Sequence, residues 1–238
     1  MHALSSEGIV ALWEIASATS PLERPSRMLA AALGESVDVI ARLPLGRRDA
    51  LLLELREATF GRRMKGFAVC VGCGERLELE LDASTLRAAG EPGERTGGDG
   101  SLRWRLRPIS SADVVAAASL DANAAAGALL ERAVVELERD GEPVAIDELD
   151  DAMRETIASA LADCDPLAEI LLDLECPSCA TAWSLPFDAA TYLHAELATA
   201  ARRLLADVHA IAGAYGWSEA EILALSPARR ECYLEMIT

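Results

Sequence analysis

The chain has 238 residues, 51% of them apolar but only 4% aromatic, and its 22 basic and 39 acidic side chains leave a net charge of −17. That length buries a full core, here mainly of Leu, Ala, Val and Ile, while a chain so acidic lacks the clustered positive charge that nucleic acid rewards. No apolar run approaches the roughly 18 residues of a membrane span, because Asp121 and Asn123 interrupt the Ala-rich stretch from Val114 to Leu130.

Residues 1–66 read as a helical region. Ser5 or Ser6 can cap a segment whose Ile9, Leu12, Trp13 and Ala16 share one face. Pro21 and Pro25 are expected to break it, with a second helix from about Leu29 to Ala32. After Pro44 comes the densest apolar helix of this half, with Leu51, Leu52, Leu55 and Ala58 on one side and Arg47, Arg48, Arg56, Arg62 and Arg63 mostly off it. The first residues, Met1-His-Ala-Leu-Ser-Ser-Glu7, have neither a basic nor an apolar leader segment, so secretion is not expected and the cysteines should stay reduced in a cytoplasm.

The period then changes. In residues 67–109, Leu77, Leu79 and Leu81 alternate with Glu78, Glu80 and Asp82 as a half-buried strand. Ala89–Gly100 reads as a flexible loop, and Leu102, Trp104 and Leu106 alternate with Arg103, Arg105 and Arg107. Those arginines are expected to be solvated or paired with the nearby acidic strand rather than bound to phosphate.

Residues 110–165 read as an acidic helical insertion. It should hold an Ala-rich helix from Ser110 or Ser111, a second around Ala124–Glu138, a Gly-Glu-Pro turn and a third helix from Asp147, ended by Pro166. The plain reading of its acids is a solvated face; the sharper one is a surface that steers a basic protein partner. In residues 166–188, Ile170, Leu172 and Leu174 form a strand. In residues 189–238 a long amphipathic helix follows Asp188 and runs to about Ala214. Ser218-Glu-Ala-Glu221 is then a capping box, and Ser226-Pro227 a cap followed by proline at the first helical position.

The most informative residues are two C-x-x-C pairs, Cys70-Val-Gly-Cys73 and Cys176-Pro-Ser-Cys179, separated by 102 residues. Two intervening residues let the chain turn so that both sulfurs face one metal, with backbone N–H groups offsetting thiolate charge. Two such knuckles supply the four tetrahedral ligands of a closed structural site, so one structural Zn2+ is expected on Cys70, Cys73, Cys176 and Cys179. Separate reduced pairs, a redox dithiol and a disulfide are the alternatives; neither pair opens a helix, the usual way of lowering a thiol pKa. Ala180 stands where a positive φ would suit glycine. Cys164 and Cys232 are expected to be buried apolar residues.

The fold class that follows is α+β: a zinc-ribbon-like β centre formed by the two knuckles, with a helical insertion and helical N- and C-terminal segments. No catalytic constellation is visible. Only His2, His194 and His209 are available, with one of the latter two expected exposed and the other packed, and there is no P-loop, dinucleotide fingerprint or nucleophile elbow. Trp217, Leu225 and Tyr233 belong either to a helical hairpin folded on its own core or to a docking module for a partner.

Leu43-Pro-Leu-Gly-Arg-Arg-Asp-Ala-Leu-Leu-Leu-Glu-Leu-Arg-Glu-Ala-Thr-Phe-Gly61, leading into the first knuckle, resembles the T4-like baseplate hub assembly chaperone family. So do Asp163-Cys-Asp-Pro-Leu-Ala-Glu-Ile170 to Cys179 and the ending from Ala212 to Arg230. Members are encoded with tail proteins of contractile phages and of related extracellular contractile injection systems. The resemblance implies a non-enzymatic protein of the producer cell's cytoplasm, either a chaperone or a minor component of the particle, whose partners are baseplate or hub and spike proteins of the same gene cluster. The charge and the lack of a long apolar run lead to no expected nucleic-acid or membrane partner. The competing reading is a nucleic-acid-binding zinc-ribbon regulator, for which only Trp104 among Arg103, Arg105 and Arg107 offers a suitable strand.

Overall fold

The computed structural model describes residues 1–87 and 90–237. Its N-terminal helices are α1 (Ser6–Ser17), α2 (Arg24–Leu33), α3 (Val37–Ala41) and α4 (Leu45–Phe60). Ser5 is the cap of α1, its hydroxyl accepting from the Gly8 N–H. Pro25 does not break the chain. It lies in the first turn of α2, where its missing N–H has no helical partner to lose, so that helix begins earlier than its apolar spacing suggests. The short α3, capped by Ser36, is an addition to the expected elements.

An antiparallel hairpin follows, β1 (Arg63–Val69) with β2 (Arg76–Asp82), then α5 (Ala83–Leu86). Of the loop expected over Ala89–Gly100, Ala89 lies outside the described residues and Arg95–Asp99 is strand β3 instead, paired with β4 (Leu102–Leu106). Gly97 permits that pairing, since a Cβ there would sit 2.2 Å from the Trp104 ring.

The insertion is not purely helical. After α6 (Ser111–Ala117) and α7 (Ala122–Ala133) the chain turns into strands β5 (Val134–Arg139) and β6 (Glu142–Pro143), then α8 (Asp151–Ala162). The helix expected to run to Glu138 therefore stops at Ala133. Val134-Val-Glu-Leu-Glu-Arg139 has β-branched residues and period-two alternation, and β4 offers it a matching edge: Trp104 lies opposite Leu137, Arg105 opposite Glu136 and Arg103 opposite Glu138. Opposite charges across a strand pair favour that register. The acidic strand that meets the arginines is thus β5, not β2: Arg105 pairs with Glu136 and, at 3.2 Å, with Glu94. Arg107 instead reaches Asp113 through two hydrogen bonds of 2.8 and 2.9 Å.

A second hairpin, β7 (Ile170–Glu175) with β8 (Ala182–Phe187), leads into α9 (Ala189–Tyr215), α10 (Glu219–Leu223) and α11 (Pro227–Glu235). Ser218 and Glu221 form the expected capping box, and Ser226 caps α11 ahead of Pro227.

Among the described residues, three apolar clusters hold these elements. One joins α1, α2 and α4 to the start of α9 through Leu12, Met28, Leu29, Leu52, Leu193 and Leu197. A second lies between the far half of α9, α1 and α10, and a third between β4, β5 and α8. Arg56, expected off the apolar side of α4, is only 3% exposed; Glu196 of α9 takes it with bonds of 2.7 and 2.6 Å, so the charge is buried as a bidentate pair.

One contact ties α4 to the second hairpin. The α4 N-terminus has no side-chain cap of its own at Pro44. Asp165, just ahead of β7, supplies one from 119 residues away, its Oδ2 accepting from the Gly46 N–H at 2.7 Å. Gly46 has no room for a side chain: a Cβ would lie 2.0 Å from Asp165 Oδ1 and 2.6 Å from Leu167 Cβ.

Candidate metal centre

Each C-x-x-C pair forms the tip of a hairpin, between β1 and β2 or between β7 and β8. The two tips share one hydrogen-bond plan. The Cys70 N–H donates to the Glu75 carbonyl at 2.8 Å, and the Gly74 N–H donates back to the Cys70 carbonyl at 3.0 Å. In the second tip the Cys176 N–H donates to the Thr181 carbonyl at 2.9 Å, and the Ala180 N–H donates to the Cys176 carbonyl at 2.8 Å. The residue that closes each turn has positive φ, 77° at Gly74 and 55° at Ala180. The alanine therefore carries the left-handed strain read from the sequence, roughly 1 kcal/mol.

The tips meet. Cys70 Sγ lies 3.6 Å from Cys179 Sγ, and Cys73 Sγ 3.6 Å from Cys176 Sγ; all four sulfurs fall within 4.8 Å of one another. A tetrahedral ion with metal–sulfur bonds of about 2.3 Å needs sulfurs about 3.8 Å apart, so this group could hold one metal ion. Cys70 and Cys176 are buried and Cys73 and Cys179 exposed, which places the cluster at the surface end of the two hairpins.

Gly72 lets the tips close, and the sequence reading missed it. A Cβ there would lie 2.4 Å from Thr181 Oγ1 of the other knuckle, and its N–H donates to Cys70 Sγ at 3.3 Å. The adjacency of a glycine to the second ligand was the available signal.

The cluster's electrostatics are those of crowded thiols. The Thr181 hydroxyl and N–H, then Cys73, stabilise the Cys179 thiolate and bring its pKa down to about 6. At Cys73 a backbone hydrogen bond from Glu75 favours the thiolate, but Cys179, Cys176 and Cys70 outweigh it and push the thiol up to about 12. Four anionic sulfurs at this separation need a cation, and a bound divalent ion would take the place of the protons. All six cysteines are free thiols, so the pairs form no disulfide, and each knuckle is a hairpin tip rather than a helix start.

The other predicted residues are placed differently. Cys164 is fully buried, but Cys232 is exposed; it sits on the outward side of α11, whose contacts to α9 run through other residues such as Arg230. His194 is half-buried beside Ser17 at 3.3 Å, and His209 is exposed. Trp217 and Tyr233 pack against α9 with Ile222 and Leu223. Their rings lie 4.8 Å apart and edge-to-face, with Tyr215 5.2 Å from Trp217. Leu225 is half-buried. The C-terminal helices thus lie on the protein's own core while their aromatic cluster keeps part of its surface exposed.

Fold and site define a mixed helix-and-sheet protein in which a four-cysteine cluster joins two hairpins far apart in sequence. No helix among the described residues is long and apolar enough to cross a membrane. The family model described as T4 bacteriophage base plate protein matches residues 26–185, from α2 through β8 and across both knuckles. The chain belongs to that family. No curated protein and no solved structure matches it.

Proposed function

We propose that this protein is a non-enzymatic assembly chaperone or minor structural component of the baseplate or hub of a phage tail-like contractile injection system, held together by one structural zinc in a ribbon-like centre. The family match over residues 26–185 carries the reading. Zinc is the ion of choice because an all-thiolate, four-ligand set suits it and leaves no open position for substrate. Cys70, Cys73, Cys176 and Cys179 would hold it, and its contribution is folding free energy rather than chemistry. Partners are expected among the baseplate, hub and spike proteins encoded alongside, with the exposed part of the Trp217, Leu225 and Tyr233 surface contributing. The competing nucleic-acid reading loses support from the pairing of Arg105 and Arg107 with acids.

Deleting the gene in the producing cell tests the proposal. Loss of intact contractile particles by electron microscopy, with co-purification of the tagged protein with a baseplate or hub protein, is the expected outcome. Normal particles in normal numbers would refute it. Mass spectrometry of purified particles then separates a departing chaperone from a retained component.

A further inference from the structure

A groove of about 1170 Å³ runs between the start of α1, the end of α4, the outer side of β1, α9 and the α10–α11 turn. Its floor is apolar, with Leu4, Ile9, Phe60, Leu204 and Leu225. Its walls are pinned by polar contacts between elements. Arg56 and Glu196 close one side as a bidentate pair. Beside them the Tyr192 hydroxyl donates to the Lys65 carbonyl at 2.9 Å and accepts from the Lys65 N–H at 3.0 Å. On the other side Arg230, 7% exposed, bonds Asp207 at 3.0 Å and Ser6 at 3.1 Å.

Those pairs neutralise each other and leave Arg63, Lys65 and Arg203 as exposed cations around the groove, none in an ion pair among the described residues, although Asp82 and Glu80, outside the lining, face Arg63 and Lys65 across the β1–β2 pair. Among the described residues, Glu7 is the one acid of the lining outside an ion pair. A cationic rim over an apolar floor, on a chain of net charge −17, is an inversion of the molecule's general field. Of the six bases between Gly46 and Lys65, Arg48, Arg56 and Arg62 are taken by Asp49, Glu196 and Asp82, Arg63 and Lys65 line this groove, and Arg47 lies outside it.

We propose that the groove binds an acidic amphipathic segment of a partner protein, its apolar side chains on the floor and its carboxylates on Arg63, Lys65 and Arg203. Charge complementarity selects this occupant: a basic segment would meet three like charges, and opposite charge steers the encounter through an otherwise repelling field. The pinned walls limit the ordering cost of binding. This deepens the assembly reading and rests on it for the partner's setting. It also divides the C-terminal candidates, since Leu225 lines the groove and Trp217 and Tyr233 do not.

The test uses the full chain, metal-loaded, and two fluorescein-labelled helical peptides with the same leucine spacing, one with glutamate and the other with lysine at the polar positions. Fluorescence anisotropy should show binding of the glutamate peptide and none of the lysine peptide. The triple variant Arg63→Gln, Lys65→Gln, Arg203→Gln should weaken the glutamate peptide by about tenfold or more with a nearly unchanged circular dichroism melt, because all three side chains are exposed and the neutral amides set no like charges against Asp82 and Glu80 across the β1–β2 pair. Leu225→Asp should weaken it as well. Failure of the glutamate peptide to bind, equal binding of both peptides, or indifference to the triple variant would overturn the proposal. So would a single-stranded oligonucleotide that binds these cations more tightly than the glutamate peptide. None of these failures touches the particle-assembly test, which stands on its own.

Discussion

Replacing Gly46 with alanine should destabilise the protein even though alanine is the better helix former. In an open helix position the change would gain about 1 kcal/mol. Here the new Cβ would fall 2.0 Å from Asp165 Oδ1 and 2.6 Å from Leu167 Cβ, so α4 and the segment ahead of β7 must separate. Overpacking of this kind costs about 1–3 kcal/mol. The separation also breaks the bond from the Gly46 N–H to Asp165 Oδ2, 2.7 Å long, and a bond to a charged acceptor contributes about 1.5–3 kcal/mol. The loss is sharpened because Asp165 is 5% exposed and its Oδ1 has no partner among the described residues. The net expectation is a destabilisation of about 2–4 kcal/mol, or a melting temperature lower by roughly 5–15 °C for a chain of this length. Urea and thermal unfolding of the metal-loaded protein, followed by circular dichroism, measure both. Asp165→Ala in the Gly46→Ala background should recover part of the loss, since it removes the closest clashing atom; the two changes should therefore be non-additive. A Gly46→Ala protein as stable as the parent, or more so, would refute the reasoning.

Cys73→Ser should lower zinc from about one ion per chain towards none and cost several kcal/mol, because binding free energy at such a site is largely folding free energy; full stability without metal would contradict a structural ion. Ala180→Gly should stabilise the protein by about 0.5 kcal/mol, the relief of left-handed strain less the extra freedom of the unfolded chain, and a loss of stability in urea unfolding would show that the turn is not strained. Burial alone would raise the Asp113 carboxyl, but hydrogen bonds from Arg107 and Ser110 hold it below the usual carboxylate range. The unfolded group titrates near about 3.9, so the folded state binds fewer protons. Its stabilisation is full above that pH and is lost as pH falls through the lower folded value. Asp113→Asn should flatten the acid limb of stability between about pH 4 and 2, and superimposable acid limbs would be evidence against this network. No binding of DNA or RNA at physiological salt is expected in gel-shift assays; micromolar affinity would return Arg103, Arg105 and Arg107 to consideration.

What the sequence determined by itself was chemistry that acts within a few residues. Ser5, Ser218 and Ser226 announce helix starts because a cap bonds an N–H two or three positions away. The C-x-x-C tips and the left-handed residue after each are equally local, so both knuckles and the strain at Ala180 were legible. The pairing of knuckles 102 residues apart was legible only because two half-sites of matching chemistry need each other. Tertiary structure decided where local preference was weak or a partner distant. Ala122–Arg139 could have continued as helix; β4 made its last six residues a strand by offering a complementary edge. Arg56 reads as a surface base until Glu196, 140 residues on, buries it, and Cys232 reads as apolar until the packing of α11 turns it outward. Gly46 looks dispensable in sequence, where nothing nearby requires a glycine, and Gly72 is marked only by its place beside the second ligand. Only when Asp165 and Thr181 are folded against them does the missing side chain become a requirement, because the space it leaves is filled by atoms from the other end of the chain.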